Sequence, residues 1–251
     1  MDQQAIRYLI ASAVLCLAIF LATIPLPRID NHLVGSDGLR YYAITRSLAL
    51  DRDLDFTNDY ALLNVTSTVT VTGRLANPFA IGTALLWMPF FVLAHLLGIF
   101  LNSIGWHITL DGVNYLYEAS VCLGTIVYAS LGFILTYYTL RRILAENAPW
   151  GFWAVIGMWW ATPAIYYMIA EPSMSHGLTV FSIALFLFTW YKPKPDRSLW
   201  GWAKVGFSAG LVALTRWQDG IILLIPLIEI GYWAYHRKIS LATRSLLVLA
   251  T

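Results

Sequence analysis

Four short stretches hold the groups that could do polar chemistry in this apolar chain. Asp37 lies in "GSDGLRYY", Glu171 and His176 frame "EPSMSH", and Arg216 and Trp217 open "RWQDG". A carboxylate beside a basic group can take a proton from an acceptor hydroxyl. A guanidinium can clamp a phosphate through two parallel N–H donors. A tryptophan can stack on a sugar ring or anchor at an interface. Arg40 and Arg74 are further phosphate-binding candidates, and Tyr41 and Glu118 are further substrate-contact candidates.

Each of these has a plainer reading. Ser36 is a good helix N-cap, and Asp37 would then sit in the first turn, favoured by the helix dipole. Pro172 and Ser173 suit a tight turn. Arg216 and Trp217 suit an interfacial anchor pair. Glu118 can partner a loop arginine or be a packed polar group.

Other chemistries are excluded. "DRDLD" (51–55) superficially suggests a calcium loop, but Phe56 and Leu62 stand where Gly and Glu are required. The acidic run therefore reads as a solvated face. No HExxH pattern occurs, and His95 and His107 are isolated. Cys16 and Cys122 lie in apolar segments and read as buried spectators. No long basic run points to nucleic acid. "NVT" at 64–66 fits a glycosylation sequon, a weak pattern.

The elements that must position these groups are membrane helices. The chain is 59% hydrophobic and 12% charged, where soluble domains carry about 25% charged residues. Residues 8–26 read as an uncleaved first span rather than a signal peptide, because the apolar core is long and more spans follow. Apolar segments recur at 79–101, 113–140, 150–170, 177–191, 199–215 and 220–235. The expected fold is an all-α polytopic membrane protein with six to seven transmembrane helices and a long first outer loop.

Basic connections orient it. Arg141–Arg142, "KPKPDR" (192–197) and "HRK" (236–238) are placed in the cytoplasm. That puts the 27–77 loop, 171–176 and 215–220 outside. The 79–101 segment breaks the alternation, so a re-entrant or interfacial helix bent by Pro89 is expected there, with a full crossing as the rival. Within the loop, Leu39, Tyr42, Ala43, Arg46, Ser47 and Leu50 follow helical spacing and predict a helix lying along the membrane surface. "STVTVTG" (67–73) alternates and is read as a short strand or an extended run. Glu229 is expected to pair with His236 or Arg237. The closing "SLLVLAT" reads as the start of another span, as in the N-terminal part of a longer protein.

These pieces, in this order, resemble the GT-C superfamily of integral membrane glycosyltransferases, which includes protein O-mannosyltransferases and lipid A aminoarabinose transferases. The resemblance is carried by "SDGLRYYAITRSLALDRDLD", "NPFAIGTALLWMPFF", the "RR" after a long span, "EPSMSH" and "GLVALTRWQDGIILLIPL". It implies transfer of a sugar from a polyprenyl-phosphate donor to a glycan, lipid or protein acceptor at the outer face of a plasma or inner membrane. It implies Asp37 as catalytic base, Glu171 as the second acidic residue, and Arg216 as a donor-phosphate contact. A divalent cation is optional in that superfamily. Two departures stand out. Some branches carry an acidic pair or Asp-X-Asp where this chain has Asp37-Gly38. "NPF" (77–79) replaces the usual "KPP" or "PP", so Arg74 would substitute for the lysine. The rival class is a non-catalytic transporter or lipid-binding subunit, or an inactive truncated relative. It would place the charges near the bilayer midplane rather than at span ends.

Overall fold

A computed structural model describes residues 2–26, 32–144, 149–191 and 198–235. The basic connections at 192–197 and 236–238, and the terminal "SLLVLAT", lie outside them. The described chain is all-helical apart from an isolated antiparallel bridge between Val69 and Leu75. Ten α-helices follow in order. They are α1 (Asp2–Thr23), α2 (Gly38–Arg46), α3 (Thr57–Leu62), α4 (Gly82–Ser103), α5 (Tyr115–Ile143), α6 (Trp150–Trp160), α7 (Tyr166–Ile169), α8 (His176–Trp190), α9 (Leu199–Thr215) and α10 (Leu224–Tyr235).

Three helical stretches are long and apolar enough to cross a bilayer: Gln3–Thr23, Gly82–Ser103 and Tyr115–Ile143. The other apolar segments are shorter or interrupted. The 150–170 stretch is two helices, α6 and α7, because Pro163 disfavours helix at Thr162 and cannot itself continue the ladder. The 220–235 stretch opens as a 3-10 turn over Trp217–Leu223 before α10 begins.

Contacts fix the directions. α4 runs antiparallel to α5: Trp87 donates to Thr125 at 2.8 Å, His95 meets the Tyr117 hydroxyl at 2.7 Å, and Gly98 lies beside Leu116. α8 runs parallel to α5, with Gly177 against Thr125, Gly132 against Phe181, and Arg142 stacked over Phe188 at 3.8 Å. α9 returns beside α8, so Thr189 meets Ser208 at 2.8 Å. Thr83, at the start of α4, donates to Thr215 O at the end of α9 at 3.3 Å. An added Cβ at Gly82 would stand 2.5 Å from the Leu214 carbonyl, so only glycine allows this approach. The start of α4, the start of α8, the end of α9 and the third turn of α5 therefore share one level, far from Arg141–Arg142. Both ends of α4 adjoin this same half of the bundle.

The core is aromatic. Trp87, Trp159, Trp202, Tyr42, Tyr60 and Tyr117 are fully buried. α2 departs from the expected surface helix: every residue from Tyr41 to Ser47 is buried. Tyr41 packs edge-on to Phe79 and Trp87, and Tyr42 packs on Phe91 and donates to Gly112 O at 2.6 Å. Tyrosine tolerates such burial when its hydroxyl finds an acceptor. The 67–73 stretch forms a small exposed hairpin rather than a sheet strand, closed by Thr70 N–H to Arg74 O at 2.7 Å.

Candidate functional site

The loop carrying Asp37 is pinned from two sides. Glu118, wholly buried in the first turn of α5, accepts from the Leu33 N–H at 2.5 Å and the Val34 N–H at 3.4 Å, and its other oxygen lies 2.6 Å from His32 Nδ1. A carboxylate is well suited to gathering several donors, and these contacts hold the loop to the bundle. Glu118 thus anchors the loop through a histidine and backbone rather than an arginine. Gly35 N–H then donates to Ser173 Oγ at 3.2 Å, and Glu171 lies alongside. A Cβ at Gly38 would stand 2.6 Å from Ser173 O, so α2 can begin against the 171–175 turn only with glycine there.

Asp37 sits at that junction. It occupies the N-cap position of α2 with φ −62°, yet its side chain caps nothing. Ser36, the expected cap, is instead left-handed at φ +51°. A left-handed residue turns the chain into the helix and gives up the extended N-cap geometry that aims a hydroxyl at the first turn. The Asp37 carboxylate is exposed and makes no hydrogen bond or ion pair among the described residues.

The other wall comes from α8 and α9. Arg216 follows α9 in extended conformation, φ −146° and ψ 115°. Its Nη1 donates to His176 Nδ1 at 3.2 Å, and its Nε lies 3.9 Å from Asp219 Oδ2. The His176 ring stacks on Tyr167, centroids 3.9 Å apart. His176 begins α8, ahead of the 177–191 apolar stretch. Burial, then the Arg216 charge, hold its imidazole below the usual range, against Asp219 and Asp37. Tyr41 closes the cluster. Burial pushes its hydroxyl above the usual tyrosine range, against the opposing pull of the Ser175 side chain and the Arg216 charge, with Asp37 and Asp219 adding to the rise. Beside His176 and Tyr167 lies a cavity of about 260 Å³, walled by Ala129, Phe133, Met168 and Val180.

The structure therefore brings Asp37, Tyr41, Glu171, His176 and Arg216 to one end of the bundle. Trp217 is there too, 66% exposed in the first position of the 3-10 turn. Arg40 and Arg74 turn elsewhere. Arg40 Nη2 donates to Thr66 O at 3.0 Å, and Arg74 is exposed on the hairpin in the field of Asp55. Among the described residues no group of three or more His, Cys, Asp or Glu is placed to hold a metal ion. Glu229 accepts from Trp190 Nε1 at 2.8 Å, and its expected partners His236 and Arg237 lie outside the described residues.

Four participants were not singled out from sequence as site residues. Asp219 stands three residues after Arg216, a spacing that pairs opposite charges on a helical turn. Ser173 looked like a turn residue, Ser175 like the flank of the 177–191 segment, and Tyr167 had no distinguishing pattern. No family model, curated protein or solved structure matches the chain.

Proposed function

We propose that the chain is a membrane glycosyltransferase that moves a sugar from a polyprenyl-phosphate donor to an acceptor at the outer membrane face. The reading uses six to seven membrane-inserted helices, with Arg141–Arg142 at the cytoplasmic end. α4, whose two ends adjoin the same half of the bundle, fits the re-entrant course. The donor is lipid at one end and phosphate sugar at the other, so its site belongs where an apolar cavity meets charge. The cavity beside His176, next to Arg216, has that character.

In this mechanism Asp37 takes the proton of an acceptor hydroxyl as its oxygen bonds to the anomeric carbon. The bond to the donor phosphate breaks in the same displacement, inverting the configuration. The leaving polyprenyl phosphate carries the electron pair, and Arg216 stabilises the charge that grows on it. His176 and Asp219 hold the guanidinium in place, and Trp217 offers a ring face for a sugar. The observation that carries this reading is the uncommitted Asp37 carboxylate beside the loop that joins it to the Arg216–His176 pair.

The test supplies membranes bearing the chain with labelled polyprenyl-phosphate sugars and follows label into acceptor. Asp37→Asn is expected to lower transfer by about 10² to 10⁴-fold. Unchanged transfer in that variant would remove Asp37 from the mechanism. Absence of transfer by the unaltered chain with every donor tried would remove the activity.

A further inference from the structure

Arg40 lies one helical turn beyond Asp37 but faces a different part of the loop. Its Nη2 donates to Thr66 O at 3.0 Å, and the Tyr60 hydroxyl lies in the field of its charge. Asn77 Nδ2 donates to the Arg40 carbonyl at 3.0 Å, which ties the helix to the following segment. These contacts border a groove of about 700 Å³, lined by Arg40, Thr66, Ser67, Thr68 and Phe79.

The groove is built rather than accidental. Ala76 N–H donates to Thr68 O at 2.8 Å, and the Ser67 hydroxyl donates to Ala76 O at 2.6 Å. The Tyr60 hydroxyl reaches the same carbonyl at 3.2 Å. Both edges are thereby held without using the Thr68 hydroxyl, which makes no hydrogen bond among the described residues. A guanidinium carries five N–H donors in a fixed fork, more than the bond to Thr66 O engages. One wall thus offers a cation of fixed direction, another offers hydroxyls, and Phe79 offers an aromatic ring.

That set matches one ligand chemistry. The fork fits a phosphate or carboxylate, hydroxyls exchange hydrogen bonds with sugar hydroxyls, and the ring packs on the apolar face of a sugar. Phe79 is also edge-on to Tyr41 at 4.8 Å, and the Tyr41 hydroxyl lies in the field of Arg216 and Asp37. The groove and the Asp37 cluster therefore share a wall. We propose that this groove binds an anionic sugar. Its role as the acceptor side of the reaction rests on the proposed glycosyltransfer.

Binding is tested on the full chain in detergent micelles by saturation-transfer NMR, with glucose 1-phosphate, glucuronate and glucose as probes. At least one anionic sugar is expected to bind about tenfold or more tightly than glucose, a difference of about 1.4 kcal/mol. Whichever of the two binds better names the oxyanion. Arg40→Gln and, separately, Thr68→Val are expected to weaken that binding, and Arg142→Gln, at the far end of the bundle, to leave it unchanged. Thr68→Val is nearly isosteric and keeps the test valid if the arginine variant fails to fold. Glucose binding as tightly as both anions would overturn the assignment, as would loss of binding in Arg142→Gln but not in Arg40→Gln. In transfer assays Thr68→Val should raise the acceptor KM and leave the donor KM alone. Anionic sugar binding without any transfer would remove the glycosyltransfer reading and leave the groove. Asp37-dependent transfer with unaltered binding in both groove variants would do the reverse.

Discussion

Two arginines, Arg46 and Arg216, sit near the same end of the molecule in opposite conditions. Arg46 is well supplied: its Nε donates to Asp111 O and its Nη1 to both Asp51 and Asp59, each at 2.7 Å. Its side chain is 7% exposed, and Asp59 is fully buried. Arg216 is under-supplied: it has a neutral imidazole at 3.2 Å and a carboxylate only at 3.9 Å, and it stays 28% exposed. Folding has used the first arginine to close a loop. The second keeps much of its charge available, at the same end as the Asp37 carboxylate, which makes no bond among the described residues. A buried charge held by two carboxylates reads as structure, and a half-partnered one at a cleft reads as a site.

The largest effect should come from breaking the well-supplied arginine. Arg46→Ala leaves Asp59 buried without its cation, and burial already pushes that carboxyl above its usual range despite the guanidinium. A loss of about 3 to 5 kcal/mol is expected, read as a lower unfolding midpoint of the purified chain in detergent. Replacing both partners with apolar residues, as in Arg46→Met with Asp59→Leu, should recover much of it, because no orphan charge then remains. A loss as large in the double variant would assign the stability to packing instead. Arg216→Gln should behave in the opposite sense. Its unfolding midpoint should barely move, while transfer falls by about 10² to 10³-fold, the usual cost of removing one donor to a developing negative charge. Equal losses of stability in Arg46→Ala and Arg216→Gln would erase the contrast.

This contrast was only half visible in the sequence. Helical character was plain from apolar runs, and α1, α4 and α5 fall close to the expected segments. Breaks were harder to see. Pro163 divides the 150–170 run, and the 3-10 turn at 217–223 shortens the last helix. Hydropathy averages over such interruptions. Periodicity marked 38–51 as helical but implied one wet face, and tertiary packing of Tyr41 and Tyr42 covered it on nearly every side. Asp37, Glu171, His176 and Arg216 could be picked out because ionisable residues at the ends of apolar runs are costly without a purpose. The acidic run 51–55 faces solvent as expected, with Asp51 to Leu54 exposed. Asp59, outside that run, is buried by a partner thirteen residues earlier, and local charge cannot report that.

The smallest effect expected is also the most specific to the under-supplied arginine. An N–H of Arg216 can donate to His176 Nδ1 only while that nitrogen keeps its lone pair. Protonation would set a second cation 3.2 Å from the guanidinium. The folded chain therefore holds His176 below the ordinary histidine value of 6.5, through burial first and the Arg216 charge second. The stability from this neutral contact is fully present above pH 6.5 and is lost as pH falls below it. Asp37, Asp219 and Tyr41 face the same ring or its partner, so the acid slope must be assigned by difference. Unfolding midpoints of the unaltered chain and of His176→Gln, followed from about pH 7.5 to 5, should diverge toward acid with the unaltered chain losing more. A phosphate-bearing ligand bound beside Arg216 would favour the imidazolium and should flatten the slope of the unaltered chain alone. Matching slopes in the two proteins would show that the pair is as settled as Arg46, and the distinction between the two arginines would then rest on transfer assays alone.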